Sequence, residues 1–218
     1  MKDLAQGRES RNNMAHFPIF IDIKHKKCLV IGGGTVALRK VETLLRYEAD
    51  VQVIAKEVCE EITSLLPESS IRKGSAGEED IRDAALVIAA TSDRQTNREV
   101  ADVCHRLGIL VNVIDAPEEC SFIFPAVVVK GDISIGINTG GKSPLVSRKI
   151  RGNIEKAIPD SYEHIAAQLG ELREIVKSRF PEEKDRRRIL RGLAAEAFEK
   201  DRMLTREEIN TITGQDII

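Results

Sequence analysis

The sequence predicts an α/β protein: a Rossmann-type, doubly wound parallel sheet, then a small β-hairpin and helix, then an all-helical C-terminal domain. Three observations predict it. Short β-rich runs alternate with helical patterns from Ile19 to Val113. The earliest of the strands, Lys27–Ile31, runs straight into three glycines and a helical pattern. Beyond Val113 the texture changes, first to two short paired runs and then to apolar residues at three- and four-residue steps.

The candidate strands of the sheet are Lys27–Ile31, Val51–Ile54, Ile71–Lys73, Leu86–Ala89 and Leu110–Val113. Helical patterns lie between them at Val36–Tyr47, Lys56–Leu66, Glu78–Asp83 and Thr96–Leu107. On such sheets ligands sit outside the carboxyl ends of the strands, which singles out Gly32–Thr35, Ala55–Glu57, Thr91–Asp93 and Asp115–Cys120. Ala126–Val129 and Ile133–Ile137, joined through Lys130-Gly131-Asp132, read as a hairpin. Ser143 is placed to cap the next helix and Pro144 to open it, with Leu145, Val146, Ile150 and Ile154 as its apolar stripe. A hairpin and one helix cannot fold alone, so that stripe is expected against the first domain or a second subunit. Pro159 ends this segment. Tyr162, Ile165, Ala166, Leu169, Leu172 and Val176 mark one tail helix, and Ile189, Leu190, Leu193, Ala197 and Phe198 another beyond Pro181. Thr205 with Glu208 makes a capping box for a last short helix. The expected domains are a flexible extension at 1–15, a dinucleotide-binding domain at 16–125, a hairpin and helix at 126–158, and helices at 159–218.

Composition excludes several classes of function. The 218 residues carry a net charge of −2 with no basic stripe, which argues against a nucleic-acid face. Two tyrosines, six phenylalanines and no tryptophan leave little for base stacking. No apolar run approaches the roughly 20 residues of a membrane span, and the polar N-terminus does not read as a secretory signal. Cys28, Cys59, Cys104 and Cys120 are too scattered for a zinc site and are expected as reduced thiols in a cytoplasmic protein. His16, His25, His105 and His164 form no ligand pair, so no metal is assigned.

Gly32-x-Gly34-x-x-Ala37 is a dinucleotide fingerprint between strand and helix. Its first glycine makes the tight turn, its second lets backbone approach a pyrophosphate, and the small third residue lets the helix pack closely. Gly32, Gly34, Thr35 and Val36 are the expected pyrophosphate and ribose contacts, with free amides at a positive helix end. Lys56 and Glu57 follow the second strand, where the adenosine ribose belongs. The acid expected at that strand tip is absent or late, and Lys56 would tolerate a 2′-phosphate, so these residues leave NAD and NADP both open. Thr91 and Ser92 read equally as nicotinamide contacts or as the cap of the next helix. Asp115 reads equally as a general base at the cleft or as a turn aspartate ahead of Pro117. Thr139, Gly140, Gly141, Lys142 and Ser143 resemble an anion-binding turn without P-loop spacing, or else a plain capped turn. Arg148, Lys149 and Arg151 offer further positive charge, whereas Lys184, Arg186, Arg187, Arg188 and Arg191, interspersed with acids, read as a solvated helix face.

Several blocks, in order, carry a family resemblance. They are Phe17-Pro18-Ile19-Phe20 entering the first strand, the Gly32 to Lys40 fingerprint, Ala89-Ala90-Thr91 with Asn97, and Val111 to Asp115. Ser121 to Ala126 and Thr139 to Pro144 complete them. The chain resembles precorrin-2 dehydrogenase, the dehydrogenase/ferrochelatase module of siroheme synthase, over Phe17 to Ile158. The resemblance implies oxidation of precorrin-2 to sirohydrochlorin with NAD as acceptor, by a homodimer whose hairpin-and-helix segments interlock. For some members it also implies insertion of ferrous iron, as a substrate, in the same cleft. It assigns Asp115 the family's catalytic aspartate, and the Thr139–Ser143 turn and Lys142 then face a substrate bearing many carboxylates. Two other readings stand beside it: a dehydrogenase that hands its product to a separate chelatase, and a non-catalytic NAD-sensing module. No sequence remains for a methyltransferase domain, so precorrin-2 is expected from another protein.

Overall fold

A computed structural model describes residues 16–218, and the extension expected at 1–15 lies outside them. The chain divides into two compact units, one ending at Phe124 and the other running from Pro125 to Ile218.

The first unit is built on five parallel strands: β1 (Lys27–Ile31), β2 (Asp50–Ala55), β3 (Ile71–Lys73), β4 (Leu86–Ala89) and β5 (Leu110–Val113). Their order is β3-β2-β1-β4-β5, so the winding reverses between β1 and β4. The connecting helices are α1 (Thr35–Leu45), α2 (Glu60–Leu65), α3 (Glu78–Ile81) and α4 (Arg94–Leu107). β1 and β4 are near-continuous apolar runs because both of their faces are covered. In β1, Cys28 and Val30 join one core with Ala37, Val41 and Leu44 of α1 and Ile62 of α2. Leu29 and Ile31 point the other way, into a core with Ile81 of α3 and Val100, Ala101 and Cys104 of α4. Each fully buried Val, Leu or Ile contributes about 1.5–3 kcal/mol. A charge at Val30, which is wholly buried, would therefore break the layer. Burial also pushes the Cys28 and Cys104 thiols up to about 11, so both stay protonated and unreactive.

One local expectation needs correction. The helix expected from Lys56 starts only at Glu60, because the chain at 57–58 is occupied in crossing the glycine loop, as described below. β1 starts at Lys27 as expected, and Phe17, Ile19 and Phe20 ahead of it are exposed.

The second unit begins with an antiparallel hairpin of β6 (Ala126–Lys130) and β7 (Ile133–Ile137). Then come α5 (Pro144–Ala157), α6 (Ser161–Arg179), α7 (Glu183–Lys200) and α8 (Arg206–Thr213). Lys130 Nζ ties the hairpin to the α5–α6 junction, donating to Ile158 O and Asp160 Oδ1 at 2.6 Å each. Ile165, Leu172 and Val176 of α6 pack with Ile189, Leu193 and Ala197 of α7 and Ile209 of α8. Phe198 is half exposed, although its ring lies 5.4 Å from that of Tyr162. The stripe of α5 is not core within the described residues, for Leu145, Val146 and Ile150 are all exposed. Arg187 and Arg188 pair with Glu183 and Asp185 on their own helix, which makes that basic run a solvated face. No described helix is long and apolar enough to cross a membrane.

Candidate functional site

Two close approaches and one open position shape the carboxyl edge of the sheet. Gly32 has φ +130°, and a Cβ there would stand 2.2 Å from Ala90 O, at the reversal point between β1 and β4. Gly33 lies under the loop after β2: its Cβ would stand 2.1 Å from Glu57 O, and its carbonyl accepts from Cys59 N–H at 2.9 Å. Gly34 has open space on its Cβ side. The first two glycines are therefore fixed by neighbouring backbone, and the third is open to a ligand. The sequence reading gave Gly33 no role, although a third consecutive glycine where the fingerprint needs two was a signal.

Gly34 caps α1 without a side chain, and the first intrahelical bond runs from Leu38 N–H to Gly34 O at 2.9 Å. The amides of Thr35 and Val36 precede that bond and face the open N-terminus, where the helix field favours an anion. Gly34, Thr35 and Val36 are exposed, and Ala37 is fully buried against the sheet. These residues fit a pyrophosphate.

Lys56 and Glu57 are exposed on the bend after β2. The Lys56 charge reaches Asp93, whose carboxyl is held below the usual range chiefly by the Thr96 hydroxyl and the Gln95 amide, with Lys56 adding to them. The loop after β2 thus contributes to the field at the loop after β4. Asp93, not Thr91 or Ser92, caps α4, its side chain accepting from Gln95 N–H at 3.0 Å. Thr91 is held by Asn97, which is buried. Asn97 Oδ1 accepts from the Thr91 amide at 3.1 Å and hydroxyl at 2.7 Å, and Nδ2 donates to Thr91 O at 3.0 Å. Ser92 is exposed beside it.

Asp115 follows β5 with φ +55°, a conformation that aspartate tolerates better than most residues. It is exposed, and its carboxylate takes no hydrogen bond or ion pair among the described residues. The short 3-10 turn after it is capped by Ala116, so the side chain is not spent on a cap. The loop is fixed by other groups. Cys120 Sγ accepts from Val113 N–H at 3.1 Å, and Ser121 Oγ accepts from Val111 N–H at 2.7 Å. Asn112 Nδ2 donates to Phe122 O at 3.1 Å, and Arg98 of α4 bonds Glu119 at 3.1 Å. The sequence reading missed Asn112, Cys120 and Arg98 as supports.

In the second unit, the Thr139–Ser143 turn is closed on itself. The Thr139 hydroxyl lies 2.9 Å from Ser147 Oγ and donates to Ser143 O at 3.1 Å, and Ser143 Oγ accepts from Val146 N–H. Gly140 and Gly141 both have positive φ, and Lys142 is exposed. Arg148, Lys149 and Arg151 are exposed on α5. Among the described residues no cluster of three or more His, Cys, Asp or Glu side chains could hold a metal ion.

Comparison with known proteins agrees with this edge. Residues 19–126 match a family model described as putative NAD(P)-binding, so this segment is an NAD(P)-binding domain. Siroheme synthase of Nitrosospira multiformis is 42% identical over 194 residues, covering 84% of this chain and 41% of that protein. Siroheme synthase of Nitrosomonas europaea is 37% identical over 190 residues, covering 84% of this chain and 40% of that protein. The chain thus spans about two fifths of the length of these relatives. The solved structure of SirC, a precorrin-2 dehydrogenase, shares the fold at 24% identity with a TM-score of 0.70, covering 91% of this chain and 98% of that one.

Proposed function

We propose, for a chain similar to siroheme synthases over about two fifths of their length, the oxidation of precorrin-2 to sirohydrochlorin with NAD as hydride acceptor. The observation that carries this reading is the bare Asp115 carboxylate, exposed at the carboxyl edge of the same sheet as the open glycine loop. Gly34, Thr35 and Val36 would hold the pyrophosphate, Lys56 and Glu57 would lie by the adenosine ribose, and Ser92 with the Thr91 backbone by the nicotinamide half. When bound, the nicotinamide supplies the acceptor for one hydride. The chain's part is to take the proton that leaves with it. A carboxylate with no partner of its own is free to act as that base. Asn97 and Asn112 orient the loops on either side of the exchange. Thr139, Gly140, Gly141, Lys142 and Ser143 would bind carboxylates of the tetrapyrrole.

The exposed Leu145, Val146 and Ile150 on α5 support a homodimer, which molecular mass in solution tests directly. The free thiols of Cys28, Cys59, Cys104 and Cys120 support a cytoplasmic setting. The test of function is anaerobic turnover of precorrin-2 with NAD, comparing wild type with Asp115→Ala. The expected result is NADH and a sirohydrochlorin spectrum from wild type, with a large loss in the variant. Ferrous iron added to the same mixture reports whether siroheme forms faster than without protein. Folded, NAD-binding wild type that turns nothing over would overturn the enzyme and favour a sensor.

A further inference from the structure

We propose that Lys40 is a positioning residue for Asp115: its ammonium, seated on the Phe124 ring, holds the arm returning from the Asp115 loop against α1. The role in turnover rests on the dehydrogenase reading, whereas the clamp itself does not.

The inference starts from a misplaced charge. In α1 the residues facing the sheet are Ala37, Val41 and Leu44, all buried. Lys40 flanks that face and is itself half-buried, where an apolar side chain would pack without desolvating an ammonium. It has no carboxylate partner among the described residues. Its Nζ instead lies 3.7 Å from the centroid of the Phe124 ring, where the ring's negative face attracts a cation. Burial holds the Lys40 pKa below the ordinary lysine value, with the neighbouring Cys120 thiol acting the other way. The ammonium therefore sits on the Phe124 end of the segment 120–124 that returns from the Asp115 loop.

That segment leads back from Asp115. Cys120 and Ser121 are bonded to Val113 and Val111, and Phe122 to the Asn112 amide, so the arm runs alongside β5. Phe122 and Phe124 have ring centroids 5.3 Å apart and pack on the same core as α1. From the other side, α4 holds the turn through Arg98 and Glu119. Lys40 is the α1 counterpart of that ion pair. It links the loop bearing the carboxylate to the helix whose first residues are Thr35 and Val36, so the proton acceptor and the dinucleotide phosphates share one support.

The experiment compares Lys40→Met, Lys40→Arg and Phe124→Leu in the full chain. Hydrogen–deuterium exchange of residues 114–124 is measured without substrate, and kcat and the KM for NAD with it. Lys40→Met is expected to speed exchange of that segment about tenfold. It should lower kcat about tenfold to a hundredfold, leaving the KM for NAD within about twofold, as for a displaced reacting group. Lys40→Arg should restore most of both, since a guanidinium also stacks on an aromatic face. Phe124→Leu should loosen the same segment with Lys40 intact, and it decides the matter if Lys40→Met fails to fold. Unchanged exchange in both Lys40→Met and Phe124→Leu overturns the clamp, as does Lys40→Arg behaving like Lys40→Met. A rise in KM alone also overturns it, by moving Lys40 to cofactor binding. If wild type itself shows no turnover the dehydrogenase reading fails, while exchange still decides the clamp.

Discussion

At the carboxyl edge of the parallel sheet the Asp115 carboxylate has no partner, whereas at the α7–α8 corner Glu208 is surrounded by donors. Glu208 accepts from Lys200, from Arg202 at 2.8 Å and from the Thr205 amide at 2.8 Å, and Thr205 Oγ1 accepts from the Glu208 amide in return. Those donors hold its carboxyl well below the usual carboxylate range, the Arg202 bond first among them. The same functional group thus serves two ends. At the sheet edge, the loop after β5 is closed by Cys120, Ser121, Asn112 and the Arg98–Glu119 pair, and the Asp115 carboxylate is left bare. At the helical corner, Lys200 and Arg202 do the closing and enclose the Glu208 carboxylate.

The contrast is sharpest if Asp115 is truncated. Asp115→Ala is expected to lower kcat by about a hundredfold to ten-thousandfold, as for loss of a general base. Its melting temperature should fall by no more than about 4 °C, because no partner is orphaned and only the positive φ disfavours alanine. A large loss of stability would show that Asp115 holds the loop, and the contrast would fail. Gly33→Ala comes next. The added methyl meets the Glu57 backbone, so denaturant titration should show a loss of about 3 kcal/mol, with weaker NAD binding by calorimetry. Asn97→Ala leaves the Thr91 amide and carbonyl unpaired and should cost about 1–3 kcal/mol by the same titration.

Glu208→Gln should have the smallest effect, and it sits at the opposite pole. Since the folded-state pKa of Glu208 is depressed, its contribution is complete above the ordinary carboxylate range and is lost as pH falls through the depressed value. The gap in melting temperature between wild type and Glu208→Gln should be widest at neutral pH and should close in acid, with kcat unchanged. A gap that widened in acid would reverse the assignment.

How much of this was legible in the sequence follows from how far apart the partners lie. The strands could be read because Leu86–Ala89 or Lys27–Ile31 must be apolar on both faces, which leaves a local signature. Thr205 with Glu208, and Ser143 ahead of Pro144, are likewise complete within four residues. The glycine fingerprint was readable, but the constraint on Gly33 was not, because the backbone that crosses it belongs to the loop after β2. Lys40 looked like any helix lysine until Phe124 was seen beneath it. Thr91 was read as a contact or a cap, and its hydroxyl proves to be committed to Asn97, a pairing that depends on how α4 meets β4. The stripe on α5 was legible as apolar, but periodicity says nothing of what covers it.

The crossing at Gly33 also bears on how such a chain can change in descent. Two loops that touch without room for a methyl group cannot drift separately, since a longer loop after β2 or a side chain at 33 each demands an answer from the other. Most single steps there are dead ends, and the viable ones come in pairs. Variation in cofactor preference should therefore accumulate in the outward side chains of Lys56 and Glu57, with the length of their loop held constant.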